Sequence, residues 1–427
     1  MDSDSGRGID RRAFTKAAVA IGGTGALAAC LKRLDRSSVP RGPADLATLP
    51  DRQHAWNEYL ATDESGNAVP PGHRLVLLLD YPGSGAPTRD DARTVRQALG
   101  TLDSAYSWSH DGLLSVVGYS PAYFERFEAA LPPQVDLPAP TALASFENPE
   151  LDAPDAILYL ASDHAHVVLA AEQALKGEKE TLNGVSVEST LMDVFSIAER
   201  RTGFKGSGLP AANQDTAGVP DSKPVSADAP LYMGFKSGYT KTQATEDRVT
   251  IQQGPFAGGT TAHVSHMTLN LEQWYEQDDR YQRVGKMYCP YHAKNDVVDG
   301  TGDNLGSSAK MEKAKPARKA AETDALVGHG QKMFHLREDG RPLILRRDFD
   351  STDGGHAGVH FVSFQREIGE FVKTRNGMNG TGLAAQSAVG QRNNNGILQY
   401  IDVTHRGNYL VPPRSLRALP TPEADRA

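Results

Sequence analysis

An adjacent arginine pair, Arg11-Arg12, stands ahead of Phe14 and Lys16, and a run of small, weakly apolar residues from Ala17 to Ala29 follows. A charged start, a short apolar stretch and small residues before a cleavage point are the three parts of a signal peptide. Twin arginines mark the export route that carries proteins already folded, so the fold is expected to be complete before the membrane is crossed. Leu27-Ala28-Ala29-Cys30 has the form of a lipobox, whose cysteine becomes the lipidated first residue of the mature chain. The apolar run is too short for a spanning helix, which needs ~20 residues. One acyl chain anchors only marginally, so a diacylated Cys30 or a second signal is required. The expectation is a signal peptide over 1–30, a Pro-, Arg-, Asp- and Ser-rich tether over 31–72, and a chain anchored by its lipid on the outer face of the cytoplasmic membrane. Folded export is also compatible with a cofactor loaded inside the cell.

The chain has two cysteines, and Cys30 is committed to the anchor. Cys289 is left alone, which excludes a disulfide framework and a four-cysteine zinc or iron–sulfur site. A net charge of −8 argues against nucleic acid as a partner, because such a surface needs a basic patch.

Beyond the tether, apolar patterning alternates between strand and helix. Residues 74–80 (RLVLLLD), 113–118 (LLSVVG) and 155–162 (DAILYLAS) read as buried strands. Helical spacing covers 90–102 and 165–176, and 121–129 begins a short helix. A Gly-, Pro-, Asp- and Ser-rich stretch closes this half. In the second half, 261–271 reads as a strand leading into a helix over 272–281, and 343–347 and 359–365 are further strands. Residues 368–374 begin a helix. The polar stretch 291–324 reads as a surface excursion, and the Pro-rich tail after Tyr409 as fraying or wrapping the surface. The order predicts an α+β protein of two fused ferredoxin-like domains, with antiparallel sheets and helices on one side. The boundaries are 73–205 for the first domain, 206–229 for a linker, 230–415 for the second domain and 416–427 for a tail. A duplication is plausible from this order, although no repeat is visible residue by residue.

Several blocks, in order, resemble the dye-decolourising (Dyp-type) haem peroxidases, which are built from two ferredoxin-like halves of the dimeric α/β-barrel type. Leu113–Phe127 resembles that family's strand, glycine turn and Phe-rich helix start, and Asp155–Leu175 its following strand and helix. Gly234-Phe235-Lys236-Ser237-Gly238 falls where the family has Gly-Phe-x-Asp-Gly. Gly258-Gly259-Thr260 through Asn270 to Trp274 resembles its Gly-Gly-Ser-Tyr to Asn-x-x-x-Trp block. Ile344-Leu345-Arg346-Arg347 and His360–Arg366 resemble its Leu-Arg-Arg-Gly and Phe-x-x-(Phe/Tyr)-Gln-Arg strands.

The resemblance implies haem b, with hydrogen peroxide and an organic reductant as substrates. It places Arg346 at the family's distal arginine, where a guanidinium would stabilise the charge on a leaving oxygen. It leaves the oligomeric state open, a homo-oligomer included. Two histidines are candidates for the axial iron ligand: His329, at the family's usual distance before the arginine, and His335, whose local Phe-His-Leu-Arg context is closer but whose spacing is short. His329 is preferred. Two departures count against full activity. The family's acid–base aspartate is Ser237, which cannot act as a base near neutrality; general acid–base help is worth ~10²–10⁴ in rate. The arginines that follow the Gly-Gly-Ser-Tyr block and meet the haem propionates are absent, the stretch being Val264-Ser265-His266. The alternatives are therefore a peroxidase, a haem or ligand binder without turnover, and a cofactor-free protein that keeps the fold.

Cys289-Pro290-Tyr291-His292, with His263 and His266, offers incomplete metal-ligand spacing. His164 and His166 read as helix-start residues, and Asn379-Gly380 and Asn393–Asn395 as turns.

Overall fold

The computed structural model describes residues 39–384 and 388–424. Arg11, Arg12 and Cys30 lie outside them, as does the end of the tail. No helix among the described residues is long and apolar enough to cross a membrane.

The first half runs β1 (His73–Asp80), α1 (Arg89–Ala105), β2 (Leu114–Tyr119), β3 (Ala156–Ser162), α2 (Ala165–Leu175) and β4 (Ser196–Phe204). Strand β1 is apolar from Leu75 to Leu79 because both its faces are covered. Leu75, Leu77 and Leu79 pack with Val95, Leu99 and Leu102 of α1 and Val167, Val168 and Ala171 of α2. Val76 and Leu78 point the other way, into a second core with Val116, Ile157 and Tyr159. A capping box closes the start of α1: the Asp91 amide donates to the Thr88 hydroxyl, and the Thr88 amide to the Asp91 carboxylate. The strands pair antiparallel in the spatial order β4-β1-β3-β2.

The second half repeats the plan with β5 (Thr260–Leu269), α3 (Arg280–Met287), α4 (His329–Phe334), β6 (Leu345–Arg346), β7 (Phe349–Ser351), β8 (Gly358–Gln365), α5 (Ile368–Asn379) and β9 (Ile401–Val411). β6 and β7 lie on β8 in one continuous register, Leu345 opposite Phe364 and Phe349 opposite His360, so they are one strand interrupted at Arg347-Asp348. The order is β9-β5-β8-β7. Counting each half from its own first strand, both orders are fourth, first, third, second. The duplication is thus a duplication of topology.

The halves do not stay separate sheets. β4 meets β7 at Phe204 and Asp350, β2 meets β9 at Tyr119 and Leu410, and β5 pairs with β9. Eight strands therefore close into a barrel without exposed edges. At each seam the fourth strand of one half lies beside the second strand of the other. The barrel interior is filled by side chains of both halves, among them Val116, Tyr159, Val264, Val362, Phe364 and Tyr409.

Four expectations change. The tether is part of the fold from residue 39: Trp56 is fully buried in the barrel core, and Gln53 stitches the β2–β9 seam. The Gln53 amide donates to the Val117 and Pro412 carbonyls and accepts from the Val117 amide at 3.0 Å, replacing ladder bonds that one residue pair cannot supply. The excursion over 291–324 is polar but not peripheral, since Leu305, Ala309, Met311, Ala320 and Ala321 are buried. The tail is fastened too. Tyr119 donates to the Arg417 carbonyl and accepts from the Leu419 amide. The helix expected over 272–281 is a short π-helical turn, Gln273–Gln277, that ends before α3.

Candidate functional site

The two halves differ in what lies between sheet and helices. Over the first half this layer is a packed apolar core. Over the second it encloses a cavity of about 270 Å3, set between the outer face of β5, β8 and β9 and the helices α4 and α5. Met267, Phe361 and Ile401 from the sheet and Met333, Phe371 and Met378 from the helices make its walls mainly apolar.

His329 lines this cavity from the first position of α4. The preceding Gly328 allows the helix to press against the end of α3, because a Cβ there would lie 1.9 Å from the Tyr288 carbonyl oxygen. The Gly328 amide is held by the Gln331 side chain, and the Gln331 amide by Tyr288. Burial, with the charges of Lys332, Arg346 and Arg375, pulls the His329 pKa down to about 3. Its ring is therefore neutral, the state in which imidazole binds a metal. Its Nδ1 is sealed from solvent and has no hydrogen-bond partner among the described residues. His335 is placed elsewhere. It follows the end of α4, is exposed, and does not line the cavity.

Arg346 and Ser237 line the same cavity as His329, so three of the four residues singled out there converge. Arg346 is oriented by Gln243, which accepts from its amide at 3.0 Å and donates to its carbonyl. Ser237 is joined to two residues that the sequence reading missed. The Lys205 ammonium donates to Ser237 Oγ at 3.2 Å and to Asp348 Oδ2 at 2.9 Å. Lys205 follows β4 of the first half, so this contact crosses between halves. Burial raises the Asp348 pKa, but the charges of Lys205 and Arg346 outweigh it and hold the carboxyl at about 2. Asp350, two positions on and also in the cavity wall, feels the Lys205 charge too, but less than its own burial. Its burial raises its pKa well above the usual range despite the Tyr232 amide that donates to it. The broken strand thus presents two buried carboxyls whose proton affinities are pushed in opposite directions, Asp348 down and Asp350 up. The available signal was the spacing: Arg346, Asp348 and Asp350 alternate onto one face of a strand. Lys205 carried no comparable signal. Arg375 and Arg406 also line the cavity and were also missed.

Cys289, His292 and His263 are satisfied otherwise. Cys289 Sγ meets His292 Nδ1 at 2.8 Å, and His292 Nε2 meets the Ala309 carbonyl oxygen at 2.7 Å, all three residues being buried. His263 is stacked on Phe371 and bonded to Asn408 and Ser265.

A barrel of two ferredoxin-like halves is the fold of the dye-decolourising peroxidases. The fold is similar to the dye-decolorizing protein of V. cholerae, with a TM-score of 0.52 and 13% identity, covering 85% of this chain and 99% of that one. It is similar to DyPB of Rhodococcus jostii RHA1, with a TM-score of 0.53 and 14% identity over 83% and 97%. The encapsulated DyP-type peroxidase of Mycobacterium smegmatis gives 0.51 and 12% over 83% and 96%. At these identities the likeness is one of fold. By sequence the chain belongs to DUF7405, a family of unknown function, which it matches over residues 71–413. No curated protein matches it.

Proposed function

We propose that the cavity binds haem b with the His329 imidazole as iron ligand, and that the protein is an extracytoplasmic haem protein of peroxidase type. The observation that carries this reading is a buried, neutral imidazole in the wall of an apolar cavity that also contains Arg346. The residues fit the group: the walls are apolar, the histidine is unprotonated, and cationic side chains line the same space. Bound haem would supply the redox chemistry that couples peroxide reduction to oxidation of an organic donor. The chain's own part is to position and to move protons. Arg346 keeps a positive charge where negative charge develops on oxygen. Asp348, ionised at any working pH, is the carboxylate available to accept a proton in place of the one absent at Ser237. Lys205 holds it in position. A lipid on Cys30 after export through Arg11-Arg12 would place this activity at the outer face of the cytoplasmic membrane.

A second reading, haem or ligand binding without turnover, is favoured by the Lys205–Asp348 ion pair, which occupies the one carboxylate that could serve as base. An absorption spectrum of the protein from its native export route, beside His329→Ala and His335→Ala, tests both. A Soret band lost in His329→Ala and kept in His335→Ala is the expected result, and peroxide turnover then separates the two readings. A colourless protein that fails to take up added haem would sink the peroxidase reading and haem as the ligand, leaving a fold kept for binding another molecule.

A further inference from the structure

In the cavity wall two guanidinium groups share a single carboxylate. Arg375 of α5 is 6% exposed and Arg406 of β9 is 2% exposed. Both donate to Glu147, Arg375 through Nη2 at 3.0 Å and Arg406 through Nη2 at 3.0 and 2.9 Å. The Glu147 side chain is itself 2% exposed. Arg406 Nη1 reaches Ser265 Oγ and His263 Nε2, each at 3.3 Å. Three donors remain: Nε and Nη1 of Arg375 and Nε of Arg406 are buried with no partner among the described residues. Lys332 brings a third basic group close by. Burial and the charge of Arg375 lower its pKa to about 7, and its ammonium is taken up by the Asn395 side chain and by the Asn395 and Met378 carbonyls.

Two full positive charges therefore face one negative charge in a sealed, low-dielectric wall. A buried charge without a counter-ion is costly, and both arginines border the cavity. A strand relationship points the same way. Ser265 and Arg406 are direct cross-strand partners in the β5–β9 ladder, so a guanidinium reaches the Ser265 position from the neighbouring strand although β5 itself carries no arginine there.

We propose that Arg375 and Arg406 form a carboxylate-binding subsite for the occupant of the cavity, with Glu147 as the buried clasp that keeps the two guanidinium groups together. The class of ligand is a large apolar molecule bearing a carboxylate; that this molecule is a porphyrin rests on the function proposed above. One carboxylate neutralises the excess charge and offers two oxygens to the unpaired N–H groups, the arrangement in which arginine binds carboxylates most strongly.

The test is an equilibrium titration of the full chain with metal-free protoporphyrin IX and with its dimethyl ester, on wild type and Arg375→Met, with dodecanoate as a second carboxylate. The free acid should bind about tenfold tighter than the ester, the ratio expected for loss of one charged hydrogen-bonding contact. In Arg375→Met that preference should vanish. Equal affinity of acid and ester in the wild type would overturn the subsite while leaving haem binding intact, and this comparison decides even if the variant does not fold. Dodecanoate binding that is lost in Arg375→Met, with no porphyrin binding, would uphold the subsite and overturn the haem reading. Binding of neither class of carboxylate would overturn both.

Discussion

The Lys205 ammonium lies 2.9 Å from the Asp348 carboxylate, tying a residue of the first half of the barrel to the interrupted strand of the second. Because the same ammonium also donates to Ser237, the position that lacks the expected carboxylate is wired to one that has it. Asp348→Asn should leave pigment uptake unchanged and lower peroxide turnover by ~10²–10⁴, the usual worth of general acid–base help. Steady-state rates on haem-loaded protein check this, and an unaltered rate would make Asp348 a purely structural partner of Lys205.

Gly328→Ala tests how the cavity histidine is positioned. The added Cβ would meet the Tyr288 carbonyl oxygen at 1.9 Å, closer than any relaxation of a side chain could relieve. The expected outcome is a displaced α4, with native-like circular dichroism but weakened haem uptake. Uptake equal to wild type would mean that His329 does not depend on this close approach.

Acid should destabilise the fold well above the pH at which Asp348 titrates. Burial, the main cause in each case, lowers the pKa of His54, His263 and His329 to about 3. Between their ordinary value near 6.5 and about 3 the unfolded chain binds protons that the folded chain does not, so stability falls as pH drops through that window. Each such histidine contributes up to ~1.4 kcal/mol per pH unit. Asp348, with its folded pKa lowered to about 2, adds its own loss only below its ordinary value near 4. Melting temperatures at pH 7 and pH 5 should already differ by several degrees; a flat profile over that interval would contradict the assigned neutral histidines.

Gln53→Leu probes the seam. It strips hydrogen bonds from the Val117 amide, the Val117 carbonyl and the Pro412 carbonyl. Leaving such groups buried and unpaired costs ~1–3 kcal/mol each. Urea denaturation should show a loss on the order of 3 kcal/mol, and a loss below about 1 kcal/mol would mean that other groups satisfy that backbone.

Most strands of the barrel were legible because their burial is apolar. β1, β2 and β3 are continuous runs, and β8 alternates toward a filled interior. β9 escaped notice for the opposite reason. Its buried positions include Arg406 and Asn408, so the strand that completes the second sheet carries polar residues where a pattern search expects Val or Ile. The same substitution of polar for apolar hid the fastening of 39–72, where Gln53 and His54 are buried beside Trp56. In the site, Arg346, Ser237 and His329 could be carried over because they sit in recognisable blocks. Lys205, Arg375 and Glu147 could not, since each acts through a contact between segments far apart in the chain, and only the closed barrel brings those segments together.

Closure also has a consequence for biosynthesis. β9 pairs with β5 on one side and meets β2 on the other, and it is the last of the barrel strands in chain order. A nascent or truncated chain ending before residue 401 presents two raw β edges, on strands that have already folded against their own neighbours. Such edges are templates for pairing between molecules. The molecule is therefore most vulnerable to aggregation in the interval before its final strand arrives, and its completion is a single late event that no fragment can anticipate.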